Sequence, residues 1–335
     1  MLDIEMMKDF ELKIVNVSNV FGGQERYAES IARALVKRHY AATFEGGGVD
    51  ESQFITSESS FEPDVMILNG NAALYKYSLR SIEKAFTIYV QHSDINDGQG
   101  PKWKRLVRKL LLKVLLKRVD LVVRVCNKAL PEKYAKGKIV TIYNGVALPS
   151  DNIAPRANFS MKLLMIGALT ENKNQRMAIE ALTLLPNASL TVVGDGPERQ
   201  ALELFAKKLK VTSRVTFTGF VSDPSCYYQS HDLLLMLSNY EAFPYVVLEA
   251  MAAYCPVVSV KVGGVPEAID SGSNGWLLDS YSYKELANKI NVIGQDLPAY
   301  ERIAKRARLT IEERFTEEHM VDQLLDEIEK RYKKL

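Results

Sequence analysis

Short apolar segments of four to seven residues alternate with longer amphipathic segments along most of the chain. The short segments are rich in Val, Ile and Leu, which is typical of buried strands, and the longer ones have the period of helices. Strands that alternate with helices pair in parallel, because each connection crosses over the sheet. We expect strands over 12–18, 64–70, 86–92, 121–126, 138–143, 162–167, 189–194, 214–219, 232–237, 256–260 and 275–278.

The segment ALPSDNIAPRANFS divides these strands into two groups. It contains two prolines, is polar and lacks periodicity, which indicates a linker. The 335 residues are enough for two domains. We therefore predict an N-terminal domain over 1–148, a linker over 149–160, a C-terminal domain over 161–315 and a final amphipathic helix over 316–335. The N-terminal domain is short, because little more than one weak strand fits after Tyr40.

The composition is that of an ordinary soluble protein, with 47% hydrophobic and 25% charged residues. No apolar run approaches the ~20 residues that a membrane-spanning helix needs. The first residues lack the basic-then-apolar order of a secretory signal. Cys126, Cys226 and Cys255 have neither metal-ligand nor disulfide spacing. We expect a cytoplasmic protein.

The net charge is only +2, but residues 102–118 carry eight basic side chains and no acidic one. One helical face is apolar and suited to the core: Trp103, Leu106, Val107, Leu110, Leu111 and Val114. Leu112 and Leu116 project from the other side among cations, which favours a helix lying on an anionic membrane surface. The residues that we assign to membrane binding are Trp103, Lys104, Arg105, Arg108, Lys109, Leu112 and Leu116.

Two other interpretations of this basic segment are weaker. Nucleic acid also attracts such charge, but the segment has little aromatic interleaving and no recognisable binding motif. We therefore expect no nucleic acid partner. An ordinary solvated helix face is the second alternative, and exposed leucines argue against it.

The segment 238–275 places two carboxylates, Glu241 and Glu249, around a helix that Pro244 begins. Residues 246–252 are apolar apart from Glu249, so the helix should be buried and that carboxylate needs a polar partner. The helix N-terminus suits phosphate. Glu249 lies roughly 7 Å further along the axis, near the distance from a diphosphate to a ribose. The alternative is a core helix whose glutamate caps a neighbouring backbone.

Three other positions have both a structural and a functional interpretation. Gly22 and Gly23 lie between a strand and a helix, where glycine allows a ligand to approach a helix N-terminus. A plain tight turn is the alternative. His92 ends a predicted strand and Lys173 follows another by six residues, and either could be an ordinary structural or surface residue.

Two kinds of site are disfavoured. The run VVGDGPER fits a dinucleotide fingerprint only in part, because Arg199 replaces its third glycine. The sequence therefore argues against a dehydrogenase. No metal-ligand cluster such as Asp-x-Asp occurs, and we expect no metal and no cofactor.

Six motifs follow one another over about 270 residues. They are FGGQERYAESIARAL, IYNGV, IGALTENKN, VVGDGPERQALE, VTFTGFVSD and the Glu-x7-Glu segment with its following GGVPE. In this order they resemble the retaining glycosyltransferases of family four (group one). The resemblance implies an α/β fold of two Rossmann-like domains facing across a cleft (GT-B), with the C-terminal helix returning to the N-terminal domain.

The resemblance also implies the reaction. A sugar would move from a nucleotide sugar, such as a UDP- or GDP-sugar, to a hydroxyl of a lipid-linked oligosaccharide or membrane glycan. Such acceptors belong to bacterial polysaccharide, O-antigen, capsule or lipopolysaccharide biosynthesis. The enzyme would then be peripheral on the inner face of the cytoplasmic membrane.

The catalytic residues that the resemblance implies are Glu241, Lys173 and His92. Lys173 would neutralise the departing diphosphate, and the near-neutral pKa expected of His92 would suit proton transfer. Glu241 would contact the hydroxyls of the donor sugar or lie beneath its anomeric carbon. The implied donor-binding residues are Gly22, Gly23, Gly167, Lys173, Phe220, Val221, Ala242, Phe243, Tyr245, Val246 and Glu249. Among them, Glu249 would bind the ribose, and Phe220 with Val221 the nucleobase.

Three positions depart from the family pattern. Ala168 stands where many members have an arginine, and Ala242 and Tyr254 replace glycines. Two alternatives therefore stay open. A sugar phosphorylase or epimerase could use the same architecture, and the missing arginine suggests a catalytically silent partner subunit.

Overall fold

The computed structural model describes residues 10–17, 22–46, 62–78, 85–95, 102–149 and 153–332. The chain divides into two compact units, one formed by 1–145 with 317–335 and the other by 146–316. In its described part, each unit contains one six-stranded sheet. All strand pairs in both sheets are parallel, so the predicted class is confirmed.

The first unit is built on a sheet with the order β2-β1-β3-β4-β5-β6. Its strands are β1 (Leu12–Asn16), β2 (Ala42–Gly46), β3 (Val65–Asn69), β4 (Phe86–Gln91), β5 (Leu121–Arg124) and β6 (Ile139–Thr141). Before the chain enters the second unit, the described helices are α1 (Gly23–Lys37), α2 (Asn71–Ser78) and α3 (Lys102–Leu115). The central strands β3 and β4 are buried at every position, as expected when both faces of a parallel sheet are covered.

The second unit is built on a sheet with the order β12-β11-β10-β7-β8-β9. Its strands are β7 (Lys162–Ile166), β8 (Ser189–Val193), β9 (Val215–Gly219), β10 (Leu233–Met236), β11 (Val257–Val260) and β12 (Trp276–Leu278). Its helices are α4 (Gln175–Ala181), α5 (Arg199–Lys208), α6 (Ser225–Ser230), α7 (Tyr245–Ala252), α8 (Val265–Ala268), α9 (Tyr283–Gln295) and α10 (Leu297–Arg314). The strands β7, β10 and β11 lie side by side, which fixes the position of the loops that follow them.

The last helix, α11 (Glu317–Tyr332), belongs to the first unit, as the resemblance implied. It buries one face, formed by Met320, Val321, Leu324, Leu325 and Ile328. Polar contacts fix its start against α1: the Ser30 hydroxyl donates to Glu317 at 2.6 Å, and Arg38 pairs with Asp322 at 2.6 Å. The closing segment is therefore an integral part of the first unit.

Helix α3 presents its faces in the opposite way to our prediction. Leu112 and Leu116 are 4% and 1% exposed and belong with Leu115 to a core cluster, so the expectation that they project into solvent is wrong. The apolar residues assigned to the core are instead 44–62% exposed: Trp103, Leu106, Val107, Leu110, Leu111 and Val114. Three leucines at positions i, i+3 and i+4 already form a complete buried stripe. A helical wheel does not tell which of two apolar faces meets the sheet.

Asp232 holds the predicted linker against the second unit. Its side chain is fully buried and accepts hydrogen bonds from Arg156 Nε at 2.7 Å and from the backbone N–H groups of Ser160 and Lys162, both at 2.9 Å. A buried carboxylate is tolerated because each oxygen has a donor. The Asp232 carboxylate thus helps to fix residues 156–160 against the second unit.

We expect Asp232→Ala to lower the free energy of unfolding by about 3 kcal/mol, because it leaves the Arg156 guanidinium and two N–H groups without their acceptor. The measurement is denaturant unfolding, compared with Asp279→Ala. Asp279 pairs with the exposed Lys261, and breaking an exposed pair has little effect. Equal losses in the two variants would contradict the assigned role of Asp232.

Candidate active site in the second unit

Three loops of the second unit leave the same edge of its sheet. The strand β10 pairs in parallel with β7 on one side and β11 on the other. Parallel strands end at one edge, so the loops 167–174, 237–244 and 261–264 are neighbours. This arrangement brings together residues that are far apart in sequence.

Lys173 and Glu241 form the central contact between the first two loops. Lys173 Nζ lies 2.5 Å from Glu241 Oε1, and both side chains are partly buried. The lysine side chain passes over Gly167, where an added Cβ would lie 3.4 Å from Lys173 Cε. A charge-assisted hydrogen bond of this length is strong. The structure therefore places a cation and a carboxylate together at the ends of β7 and β10.

Asn172 connects the same two loops through their backbones. Its carbonyl accepts from the N–H of Asn239 at 2.8 Å, and its side chain bonds both the N–H and the carbonyl of Tyr240 at 3.1 Å. The Tyr281 hydroxyl also donates to the Ser238 carbonyl at 3.0 Å. Sequence reasoning missed Asn172, although it stands beside Lys173 in the motif IGALTENKN.

Gly263 supports the third loop against the Glu241 backbone. An added Cβ at this residue would lie 1.8 Å from the Glu241 carbonyl oxygen, and its φ is +51°. The next residue, Gly264, donates its N–H to the Ala242 carbonyl at 2.6 Å. The first glycine of the GGVPE motif is therefore required by close backbone packing, a role that sequence reasoning did not assign.

Helix α7 follows the Glu241 loop and starts at Tyr245. Pro244 is its extended N-cap residue, with φ −75° and ψ 126°, so it precedes the helix and does not begin it. Ala242 and Phe243 are buried before the helix, and Val246 is partly exposed on it. The predicted burial of the helix is confirmed for Tyr245, Val247, Leu248, Ala250, Met251 and Ala252.

Glu249, on α7, has the polar partner that burial demands. The Tyr228 hydroxyl on α6 donates to Glu249 Oε2 at 2.6 Å. The glutamate is only partly buried. No local sequence signal indicates Tyr228, because the two residues come together through the packing of α6 on α7.

Tyr254 ends α7 in a left-handed conformation, with φ +57°. The N–H of Cys255 donates to the Ala250 carbonyl at 2.9 Å, as in a helix end that favours glycine. A side chain in this conformation costs about 1–2 kcal/mol. The Arg308 guanidinium lies over the tyrosine ring, 5.6 Å from its centre, and offsets part of that cost. This backbone geometry explains why glycine is expected here.

Phe220 and Val221 follow the edge strand β9. The Phe220 ring is 74% exposed, whereas Val221 is half-buried. An exposed ring at the carboxyl end of a strand is available for stacking on a flat ligand.

The remaining candidates lie in the first unit. Gly22 is the N-cap of α1, Gly23 is its first residue, and the buried Glu25 carboxylate lies close to Gly22. His92 Nε2 lies 2.6 Å from Asn69 Oδ1. Burial lowers the pKa of His92 to about 3, so the expected near-neutral pKa is wrong.

The described ranges offer neither a membrane-spanning helix nor a metal site. In those ranges, no helix is both long and apolar enough to cross a bilayer. Nor do three or more His, Cys, Asp or Glu side chains there form a group that could hold a metal ion.

The sequence model of the family "Glycosyl transferases group 1" matches residues 154–310. An N-acetyl-alpha-D-glucosaminyl L-malate synthase from Bacillus anthracis is 34% identical over 41% of this chain and 36% of its own length. A lipopolysaccharide core biosynthesis glycosyltransferase from Rhizobium meliloti is 32% identical over 49% of this chain and 48% of its own. The chain thus spans less than half of either relative.

A glycosyltransferase from Haemophilus influenzae is 24% identical over 96% of this chain and 99% of its own. Solved structures are similar over the same extent. HepE from Anabaena, solved with UDP and glucose, has a TM-score of 0.78 at 22% identity, covering 96% of this chain and 99% of its own. Sucrose-phosphate synthase from Thermosynechococcus elongatus has a TM-score of 0.84 at 18% identity, covering 97% and 100%. These similarities confirm the fold over both units.

We expect Gly263→Ala to be much more destabilising than Gly272→Ala. Both glycines have positive φ, but a Cβ at Gly272 meets nothing within 4 Å, whereas one at Gly263 overlaps the Glu241 carbonyl. The control therefore measures the left-handed backbone alone, about 1–2 kcal/mol. Thermal unfolding of both variants is the measurement, and equal melting temperatures would contradict the packing role.

Proposed function

We propose that this chain, in which residues 154–310 match the group 1 glycosyl transferases, is a retaining transferase acting on a nucleotide sugar. The acceptor is a hydroxyl of a lipid-linked or cell-surface glycan. The observation that carries this proposal is the Lys173–Glu241 contact at 2.5 Å beside the start of α7. It provides a cation and a carboxylate beside a helix N-terminus at one sheet edge.

Each part of the donor has a partner in this arrangement. Lys173 and the first N–H groups of α7 bind the diphosphate. Glu241 exchanges its ion pair for hydrogen bonds to the sugar, and Glu249, oriented by the Tyr228 hydroxyl, binds the ribose. The exposed Phe220 ring stacks on the base. The solved complex of HepE with UDP and glucose supports a UDP-sugar as donor.

The reaction breaks the bond between the anomeric carbon and the diphosphate oxygen. The acceptor oxygen forms its new bond on the face that the diphosphate leaves, and the acceptor proton passes to the departing phosphate oxygen. Negative charge grows on that oxygen as the bond breaks. A fixed Lys173 ammonium stabilises this charge without reorganisation, and no metal is needed at this step.

Helix α3 supports a membrane-bound acceptor. Its exposed apolar stripe from Trp103 to Val114 is roughly 16 Å long. On the helical wheel Lys104 flanks the stripe on one side and Lys113 on the other, and both are exposed. An apolar face between cations fits an anionic lipid surface. We therefore propose docking on the inner face of the cytoplasmic membrane through this stripe, and not through Leu112 and Leu116.

The relative named for lipopolysaccharide core biosynthesis supports a glycan acceptor of this kind. A sugar phosphorylase or epimerase would need neither the α3 stripe nor an acceptor glycan. A silent subunit would bind no donor. The next two experiments separate these outcomes.

Donor use is tested by incubating the protein with UDP-, GDP- and ADP-sugars and measuring the slow release of nucleoside diphosphate. We expect Lys173→Ala to lower the rate about 10²–10³-fold, since it removes the charge opposite the leaving group. Glu249→Ala should weaken donor affinity about tenfold or more. Lys208→Ala, at an exposed position on α5, is the matched control. A protein that binds none of the three donors would refute the transferase proposal.

Membrane docking is tested by sedimentation with vesicles containing phosphatidylglycerol or only phosphatidylcholine. The double variant Leu106→Glu with Leu110→Glu should reduce binding to the anionic vesicles more than tenfold, because two leucines lose their burial in lipid. Leu204→Glu changes an equally exposed leucine of the second unit and is the control. Unchanged binding of the double variant would refute docking through α3.

A further inference from the structure

A connected set of polar side chains lies at the strand ends of the first unit. Asn16 ends β1, Asn69 ends β3, and His92 follows β4 directly. Asn16 and Asn69 are paired in the parallel register of their strands, and both are completely buried. Gln24, in the first turn of α1, completes the set. Such a buried network is stable only if its donors face acceptors.

The contacts fix which way the Asn69 amide points. Its Nδ2 donates to Asn16 Oδ1 at 2.9 Å and to the backbone carbonyl of Gln24 at 2.8 Å. A backbone carbonyl only accepts hydrogen bonds, so the amide nitrogen must lie on that side. Gln24 Nε2 donates to Asn16 Oδ1 at 3.0 Å and to the Asn69 carbonyl at 2.8 Å, which holds the same arrangement.

The orientation of Asn69 in turn determines the protonation of His92. Asn69 Oδ1 lies 2.6 Å from His92 Nε2 and can only accept, so Nε2 carries a hydrogen. Burial keeps the ring neutral by lowering the pKa of His92 to about 3. A neutral ring with a hydrogen on Nε2 has its lone pair on Nδ1.

Tyr27 fixes the plane of the imidazole. The two rings meet edge to face, with centres 4.9 Å apart and an angle of 74°. Within the described part of the chain, Nε2 is the ring nitrogen of His92 that is bonded, and the side chain is only partly buried. Nδ1 has no hydrogen-bond partner among the described residues, so it is the ring nitrogen that is left for a ligand.

We propose that Asn69 is a positioning residue, which holds His92 as the Nε2–H tautomer so that Nδ1 accepts a hydrogen bond from a hydroxyl of the sugar substrates. This rests on the proposed transferase function. It gives His92 the role of a neutral hydrogen-bond acceptor in place of an imidazolium that donates protons. Asn16 and Gln24 act only through Asn69.

The first test is nitrogen-15 NMR of the full chain labelled at histidine, of which the sequence has 4. His92→Gln identifies the His92 signals by their disappearance. At neutral pH we expect a protonated Nε2 and a bare Nδ1 in the unmodified protein. A protonated Nδ1, or an imidazolium, overturns the proposal. This measurement needs neither donor nor acceptor.

Two variants separate positioning from general damage to the network. Asn69→Leu keeps the side-chain size but removes the acceptor, so the Nε2–H signature should be replaced by a mixture of tautomers. Gln24→Ala removes a side chain of the same set but leaves the Gln24 carbonyl and Asn69 in place, so the tautomer should be unchanged. A signature that survives in Asn69→Leu overturns the proposal. If Asn69→Leu does not fold, the tautomer of His92 in the unmodified protein and in Gln24→Ala still tests the proposal.

The second test uses the nucleoside diphosphate release assay. Asn69→Leu should lower kcat about tenfold with little change in the KM for the donor, as expected from one hydrogen bond at the reacting sugar. Combining it with His92→Gln should cause no further loss, because both act through one nitrogen. Additive losses overturn the positioning role. If the unmodified protein releases no nucleoside diphosphate but His92 is the Nε2–H tautomer, the transferase assignment is overturned instead.

Discussion

Parallel pairing of the strands is the constraint on which both polar regions of this protein depend. Each strand begins at one edge of its sheet and ends at the other, so every strand-end residue of a unit lies along one line. Lys173 and Glu241 are 68 positions apart in sequence and meet because β7 and β10 are adjacent. Asn16 and Asn69 meet for the same reason at the ends of β1 and β3. The apolar strands supply the stability, and the strand ends and the loops that follow them carry the polar side chains.

Helix α3 illustrates the difference between an apolar pattern and a buried one. Its buried stripe is short and made of leucines near its C-terminus, whereas its longer apolar stripe faces outward. An outward stripe of this size is unusual for a protein that acts alone in water. Its flanking cations make lipid headgroups a natural counterpart, and a glycan acceptor that is anchored in a membrane would then be presented close to the first unit.

The sequence was sufficient for the strands, since eleven predicted segments coincide with strands to within two residues at either end. The periodicity and the short apolar runs are local properties, so one sequence contains them. It was not sufficient for the face of α3, for the pKa of His92 or for the partner of Glu249. Each of these depends on a neighbour delivered by packing: the core cluster around Leu115, the burial of the imidazole beside Tyr27, and the Tyr228 hydroxyl. The roles of Gly263 and Asn172 needed the adjacency of three loops.

Lys173 and Glu241 form an ion pair. An anion that binds the Lys173 ammonium in place of Glu241 leaves the Glu241 carboxylate without its counter-charge. In the proposed reaction, a complete donor compensates both charges, with its diphosphate on Lys173 and its sugar hydroxyls on Glu241. The diphosphate and the sugar of the donor therefore bind cooperatively, although the diphosphate does not contact Glu241 and the sugar does not contact Lys173. A nucleotide that has lost its sugar leaves Glu241 uncompensated, and the original pair competes with it for the lysine. The same contact that receives the substrate thus helps to expel the spent product.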